Sequence, residues 1–338
     1  MNENVPRTNV ARVNRKIHLV YLLAASHSGS TLLAMLLNSH NEICTVGELK
    51  ATSLGDPLQY RCSCGSLIRE CSFWLGISQD MAARGFVYDV TCAGTDIRTG
   101  MSPPVLKLLK PLYRGSFLET LRDGALTIFP CWRQGLPEIL ARNRALIESV
   151  AVRSGKRFIV DSSKIGIRLK YLLRIPELEI SVIRLIRDGR GVALTYVDPA
   201  RFADARDPSL RGGGSGRDRS GERLSLAAAA REWRRSNEEA EALLARLPTS
   251  QWLEVRYEEL CRRPKEILRE IAGFLKLDPN DFAVDFRSVE HHVVGNGMRL
   301  DSTSEISLDE RWRGEFSARD LVLFEIVAGV TNKKLGYS

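Results

Sequence analysis

Residues 17–40 read IHLVYLLAASHSGSTLLAMLLNSH, and three successive patterns within them decide the fold. Ile17 to Ala25 is a nearly unbroken apolar run, which fits a strand buried on both faces in a parallel sheet. Ser26 to Ser30 is a short Ser/Gly turn around Gly29, and from Thr31 to Leu37 the apolar residues recur with a helical period. Strand, Ser/Gly turn and helix together form a geometry that binds phosphate, because the first N–H groups of a helix are unpaired and carry partial positive charge. Gly29 lets the backbone approach an anion closely, and Ser28, Ser30 and Thr31 add hydroxyl donors. Such turns are common, so a plain strand–helix connection is the alternative until a second motif agrees.

Working outward, ICTV (43–46) reads as a short second strand ending at Gly47-Glu48-Leu49, RFIVD (157–161) and LEISVIRLI (178–186) as the next two, and QWLEVRY (251–257) as a fifth. Ile165 to Leu173 is a helical crossover, residues 224–247 form a strong helix, and a last helix begins at Ser317 with Asp320 as its capping partner. Strands alternating with helices predict an α/β fold with a central parallel β-sheet flanked by helices, P-loop-like in its first unit. Pro103-Pro104 and Pro137 are expected to break the helical stretches of residues 79–155. Residues 201–222 hold Gly212-Gly213-Gly214, many Arg and Asp and almost no apolar side chains, which suggests a lid or disorder. The expected organisation is a flexible tail at 1–15 and one domain over 16–338, with 50–155 and 200–225 as an acceptor-side insertion and lid.

The 338 residues are 44% hydrophobic and 27% charged, an ordinary globular composition that excludes disorder as the main state. The net charge of +8 serves solubility or an anionic ligand. The basic residues are scattered and no nucleic-acid motif is present, so nucleic acid is not an expected partner. No apolar run is long enough to span a membrane. The run at 17–25 imitates a signal peptide but is interrupted by Ser26-His27-Ser28-Gly29, so a cytoplasmic protein is expected.

A nucleoside-triphosphate loop needs G-x-x-x-x-G-K-[ST], yet Ser30 stands where its lysine should be. This weakens a small-molecule kinase, which remains one alternative; a non-catalytic nucleotide-binding protein is the other. SHSGSTLLAMLLNSH followed by a short strand and GEL resembles the 5′-phosphosulfate loop of the PAPS-dependent sulfotransferases, in the bacterial-type members that carry GEL. The resemblance implies that Ser26, His27, Ser28, Gly29, Ser30 and Thr31 hold the 5′-phosphate of 3′-phosphoadenosine-5′-phosphosulfate (PAPS; product PAP). His27 departs from the Lys or Arg usual there, leaving open a cationic or a hydrogen-bonding role. RLIRDGRGVALTY (184–196) resembles the family's 3′-phosphate signature, Arg187 matching its Arg and Thr195 the hydroxyl residue at the required spacing. VRYEEL (255–260) resembles the segment whose Tyr contacts adenine, so Tyr257 inherits that role. VDSSK (160–164) resembles the strand end whose lysine, here Lys164, serves the transferring group. HHVVGNGMRL (291–300) with RWR (311–313) resembles the loop that closes over the nucleotide, which implies Arg299 and Asn296 as 3′-phosphate contacts.

The implied reaction moves a sulfuryl group in line to an acceptor hydroxyl or amine, and the protein mainly positions groups and stabilises charge. Glu48, after the second strand at the edge where open α/β sites lie, is the expected base, its pKa raised by burial. The expected catalytic set is Glu48, Lys164 and His27. No metal is assigned, since Lys and Arg can supply the cationic charge. The acceptor class, small molecule or glycan or peptide, stays open. Seven cysteines argue against a full disulfide framework. Cys62, Cys64 and Cys71, spaced C-x-C-x6-C beside Phe73-Trp74, are read as plain thiols, a disulfide or metal ligands, with no obvious fourth ligand.

Overall fold

Five strands form a parallel sheet in the order β2-β3-β1-β4-β5, with β1 Ile17–Ala24, β2 Ile43–Thr45, β3 Phe158–Lys164, β4 Leu178–Ile186 and β5 Trp252–Arg256. The computed structural model describes residues 17–50, 54, 56–110, 115–205, 207–215 and 219–337, and the expected tail at 1–15 lies outside them. All five expected strands form.

The central strand shows why. Leu19, Tyr21 and Leu23 face one apolar layer with the helix Pro130–Ser154, while Val20, Leu22 and Ala24 face another with the helices Ser30–Asn38 and Pro264–Leu275. Period-two alternation of apolar residues on both faces is what a strand covered on both sides requires. The strand neighbours diverge at β1, which pairs with β3 on one side and β4 on the other. That divergence opens a crevice at the carboxyl ends of the strands, where ligands of open α/β sheets bind.

The break expected at Pro103-Pro104 is a helix start, and the break expected at Pro137 does not occur. Pro103 occupies the first position of the helix Pro103–Leu108, where its missing N–H has no intrahelical partner to lose. Pro137 lies inside the continuous helix Pro130–Ser154, whose buried face (Trp132, Leu136, Ile139, Leu146, Ile147 and Val150) runs through it and outweighs one absent hydrogen bond. Strand β3 also continues past Asp161 to Lys164 through polar DSSK, all but the last residue buried. The capping box at Ser317 and Asp320 is present. Trp74, Trp132 and Trp233 are packed into apolar clusters. Among the described residues no helix is long and apolar enough to cross a membrane.

Candidate functional site

A cleft of about 1550 Å³ opens along the carboxyl edge of the sheet. The turn after each strand contributes to its wall: Ser26, His27, Gly29, Ser30 and Thr31 after β1, Glu48 after β2, Lys164 closing β3, Arg187 after β4 and Tyr257 after β5. Lys and Arg outnumber Asp and Glu along that wall, an electrostatic match for an anion.

The turn after β1 is built for close approach. Gly29 caps the helix Ser30–Asn38 with φ +87°, and a Cβ there would lie 2.5 Å from Cδ2 of Tyr257. Only glycine meets both demands. This helix has no side-chain cap and no acidic residue in its first turn, so its leading N–H groups face the cleft without a protein anion. Ser28 Oγ is buried with no hydrogen-bond partner among the described residues. An orphaned hydroxyl beside an uncapped helix start fits a phosphate.

His27 takes φ +62°, sets its ring edge-on to Tyr196 at 4.6 Å, and offers its carbonyl to Arg187 Nη1 at 2.8 Å. Burial, then the charges of Arg219, Lys164 and Arg187, hold its imidazole well below the ordinary 6.5. A lowered imidazole of this kind favours the neutral ring over the cationic one near pH 7.

Glu48 is presented by Gly47, whose φ of +89° lets it pass so close to Val294 that a Cβ would meet the Val294 carbonyl at 2.1 Å. Val294 N–H donates to the Val46 carbonyl at 3.0 Å, tying a distant loop to this strand end. Glu48 Oε1 pairs with Lys164 Nζ, and Oε2 lies 3.8 Å from Lys50 Nζ. Burial pushes this carboxyl up, but Lys164, Lys50 and Arg219 pull it down further, leaving it below its ordinary 4.5. The expected upward shift is corrected: two ammonium groups at the carboxylate outweigh desolvation.

Beneath this pair lies an ionic hub. Asp161 Oδ2 accepts from Arg168 Nε at 3.1 Å, with Asp161 wholly buried and Arg168 2% exposed. Arg168 also donates to the Thr95 carbonyl at 2.7 Å and to Asn143 Oδ1 at 2.6 Å. Asp161 Oδ1 accepts from Leu49 N–H at 3.2 Å and Ser163 N–H at 2.9 Å, the chain neighbours of Glu48 and Lys164. One buried carboxylate thus fixes both segments that carry the pair.

Arg187 donates from Nη2 to Asp309 Oδ2 at 2.9 Å, and its guanidinium carbon lies 4.4 Å from the centre of the Tyr257 ring. Trp233 Nε1 donates to the Arg187 carbonyl at 3.2 Å, which holds the start of the next helix, Gly189–Val197. Thr195 lines the cleft from that helix, and its hydroxyl donates back to Gly191 at 3.0 Å.

The C-terminal loop does not follow the sequence reading throughout. Arg299 is 2% exposed and spends its donors on the backbone carbonyls of Val293, Gly295, Asn296 and Arg61. Asn296 lines the cleft, but its amide binds the Ala203 carbonyl and the Met298 N–H. Both residues hold the loop together. Arg311, not singled out from sequence, lines the cleft instead, clasping Asp309 at 2.7 and 2.8 Å. Lys50, Arg219 and Asp309 were likewise invisible in the sequence, because only the fold brings them beside the motifs. From the two expected acceptor-side segments, Leu54, Tyr60, Arg98 and Lys110, and then Phe202, Arg211 and Arg219, line the cleft mouth.

Residues 167–281 match the model of the Sulfotransferase family. No curated protein sequence matches the chain. Among solved structures, the chain is similar to the sulfotransferase domain from the curacin biosynthetic pathway, with 16% identity and a TM-score of 0.50 over 96% of this chain and 99% of that one. It is also similar to the sulfotransferase domain of the Synechococcus PCC 7002 olefin synthase, at 17% identity and a TM-score of 0.48 over 96% of each chain. Sulfotransferase STF9 from Mycobacterium avium matches at 12% identity and a TM-score of 0.47, over 96% of this chain and 78% of that one. The chain is therefore similar to the Sulfotransferase family through residues 167–281, and over nearly its whole length it has the fold of a sulfotransferase domain.

Proposed function

We propose that the protein transfers a sulfuryl group from PAPS to a hydroxyl or amine of an acceptor. The observation that carries this reading is the meeting, in one cleft, of the uncapped phosphate turn, Arg187 and the Glu48–Lys164 pair. A nucleotide held by the first two places its reactive end toward the third.

When bound, the donor supplies an activated sulfuryl group. The N–H groups that start the helix Ser30–Asn38 and the hydroxyls of Ser28, Ser30 and Thr31 hold the 5′-phosphate. Arg187 with Thr195 holds the 3′-phosphate, and Tyr257 takes the adenine. Arg311 joins Arg187 in that role, in place of Arg299. Glu48, kept ionised by its lysines, takes the acceptor proton, and Lys164 places positive charge where negative charge accumulates. Residues 16–338 act as one catalytic domain, with 50–155 and 200–225 shaping the acceptor side for a small molecule, glycan or peptide.

Calorimetric titration with 3′-phosphoadenosine-5′-phosphate, against ATP with magnesium, tests this reading. Tight binding of the bisphosphate, weakened roughly 10- to 100-fold in Arg187→Ala, is the expected outcome. A preference for ATP with magnesium would overturn it in favour of a kinase.

A further inference from the structure

The motif that the reaction leaves unused is Cys62-x-Cys64-x6-Cys71. The fold supplies the fourth ligand it lacked: His292, 221 positions beyond Cys71, reaches the three sulfurs through Nδ1. We propose that Cys62, Cys64, Cys71 and His292 bind one structural zinc ion.

The distances argue for a metal rather than for packed thiols. A tetrahedral zinc with Zn–S about 2.3 Å and Zn–N about 2.05 Å separates two sulfurs by roughly 3.8 Å and sulfur from nitrogen by roughly 3.6 Å. Here Cys64 Sγ and Cys71 Sγ are 3.7 Å apart, and His292 Nδ1 lies 3.5 Å from Cys71 Sγ and 3.8 Å from Cys62 Sγ. All four ligand atoms lie within 4.8 Å of one another. A disulfide would join two sulfurs and leave a third sulfur and an imidazole nitrogen aimed at nothing.

The surroundings are those of a metal site too. His292 Nε2 faces Glu290 Oε1 at 3.1 Å, the carboxylate–histidine arrangement that fixes the tautomer and leaves Nδ1 free to coordinate. Phe73 stacks on the imidazole, ring centres 4.4 Å apart and planes 7° from parallel, which holds its orientation. The first two cysteines sit on a tight turn closed by Gly65 N–H to the Cys62 carbonyl at 2.9 Å, with Gly65 at φ +90°. Four protein ligands leave no open position, so the site is structural. Binding releases the thiol protons to solvent and leaves three thiolates and a neutral imidazole on the ion.

The ion would rivet the turn at 62–71 to the loop at 291–295. The same loop binds Tyr60 through Gly295 at 2.7 Å and meets Gly47 through Val294, one residue from Glu48. This inference does not depend on which donor the cleft accepts.

The test is elemental analysis of the full chain, purified without a metal-chelate column. The expected result is about one zinc per chain, falling below roughly a fifth of that in Cys64→Ser, whose exposed thiol makes misfolding least of a concern. Glu290→Gln should keep the zinc but weaken its affinity about tenfold. Cobalt exchanged into the protein should show tetrahedral thiolate–cobalt absorption, absent in His292→Ala. Folded wild-type protein that holds no zinc and gives no cobalt spectrum would overturn the proposal, as would a Cys64–Cys71 disulfide in non-reducing peptide maps.

Discussion

Glu48 and Lys164, 116 residues apart in the chain, meet as an ion pair where β2 and β3 end. Each lies on an unusual backbone: Glu48 follows Gly47 at φ +89°, and Lys164 itself takes φ +70°. A non-glycine residue held in the left-handed region costs about 1–3 kcal/mol and persists where the surroundings over-determine it. The site therefore stands on a strained frame braced from below by Asp161.

Glu48→Gln should lower kcat about 10²–10⁴-fold while bisphosphate affinity stays nearly unchanged. Because the Glu48 carboxyl lies below 4.5, the acid limb of the kcat/KM profile should fall below that pH, not near neutrality. The same shift gives the sign for stability: the Glu48 contribution is present above the unfolded pKa and is lost as pH falls through the lower folded value. Lys164→Met leaves burial opposed chiefly by Lys50, so the acid limb should move upward. An unmoved limb would rule out Glu48 as its source.

Arg187 is the residue on which nucleotide affinity should depend most. Charge-assisted hydrogen bonds contribute about 1.5–3 kcal/mol, so Arg187→Ala should weaken bisphosphate binding roughly 10- to 100-fold in calorimetry. Asp309 keeps Arg311 at 2.7 and 2.8 Å, so the variant leaves no carboxylate unpaired. Arg187→Lys should not restore binding, because an ammonium cannot reach His27 and Asp309 together as the planar guanidinium does.

Gly29→Ala should abolish tight bisphosphate binding and lower stability by about 1–3 kcal/mol, since it adds both a left-handed alanine and a clash with Tyr257. Gly273, in the helix Pro264–Leu275 with nothing near its Cβ position, is the control. Gly273→Ala should stabilise by about 0.5–1 kcal/mol in denaturant unfolding and leave binding intact.

His27 separates what was legible in the sequence from what was not. The strands and the Gly29 turn could be read because apolar periodicity and glycine placement act locally. The state of His27 could not, since it depends first on burial within the folded cleft and then on Arg219, Lys164 and Arg187 arriving from three other segments. In the sequence strand β3 ends at Asp161, and it takes Arg168 on the next helix, with the Leu49 and Ser163 N–H groups, to explain the burial of that carboxylate. Arg299 looked like a phosphate ligand, yet a sequence does not say which way an arginine points. The ligand completing the cysteine cluster lay 221 positions away.

The neutral state of His27 predicts a pH effect. His27→Asn retains the backbone, since asparagine tolerates φ near +60°, so bisphosphate affinity should change little and show the same pH dependence as wild type above pH 6. A depressed histidine stabilises above its unfolded pKa and loses that contribution as pH falls, so the wild type should lose stability below about 6.5 faster than His27→Asn. Unfolding midpoints measured from pH 7 to 5 read this difference. Parallel curves would show that His27 is not held neutral.

The Asp161–Arg168 pair should prove the most stability-sensitive contact under the site. Removing one partner of a buried ion pair costs about 3–5 kcal/mol, because the other charge stays buried without compensation. Arg168→Met should therefore lower the unfolding midpoint sharply, leaving Asp161 at 0% exposure without its cation. Asp161→Asn combined with Arg168→Met removes both charges, so the double variant should be more stable than Arg168→Met alone. In the proposed reaction the part of Asp161 is positioning: it holds Leu49 and Ser163, the neighbours of Glu48 and Lys164. Asp161→Leu combined with Arg168→Met removes the Oδ1 acceptor as well, and this variant, if folded, should show reduced kcat with KM for the donor little changed. Equal losses in kcat and donor affinity would instead mark a general loosening of the cleft, and Asp161 would lose its positioning role.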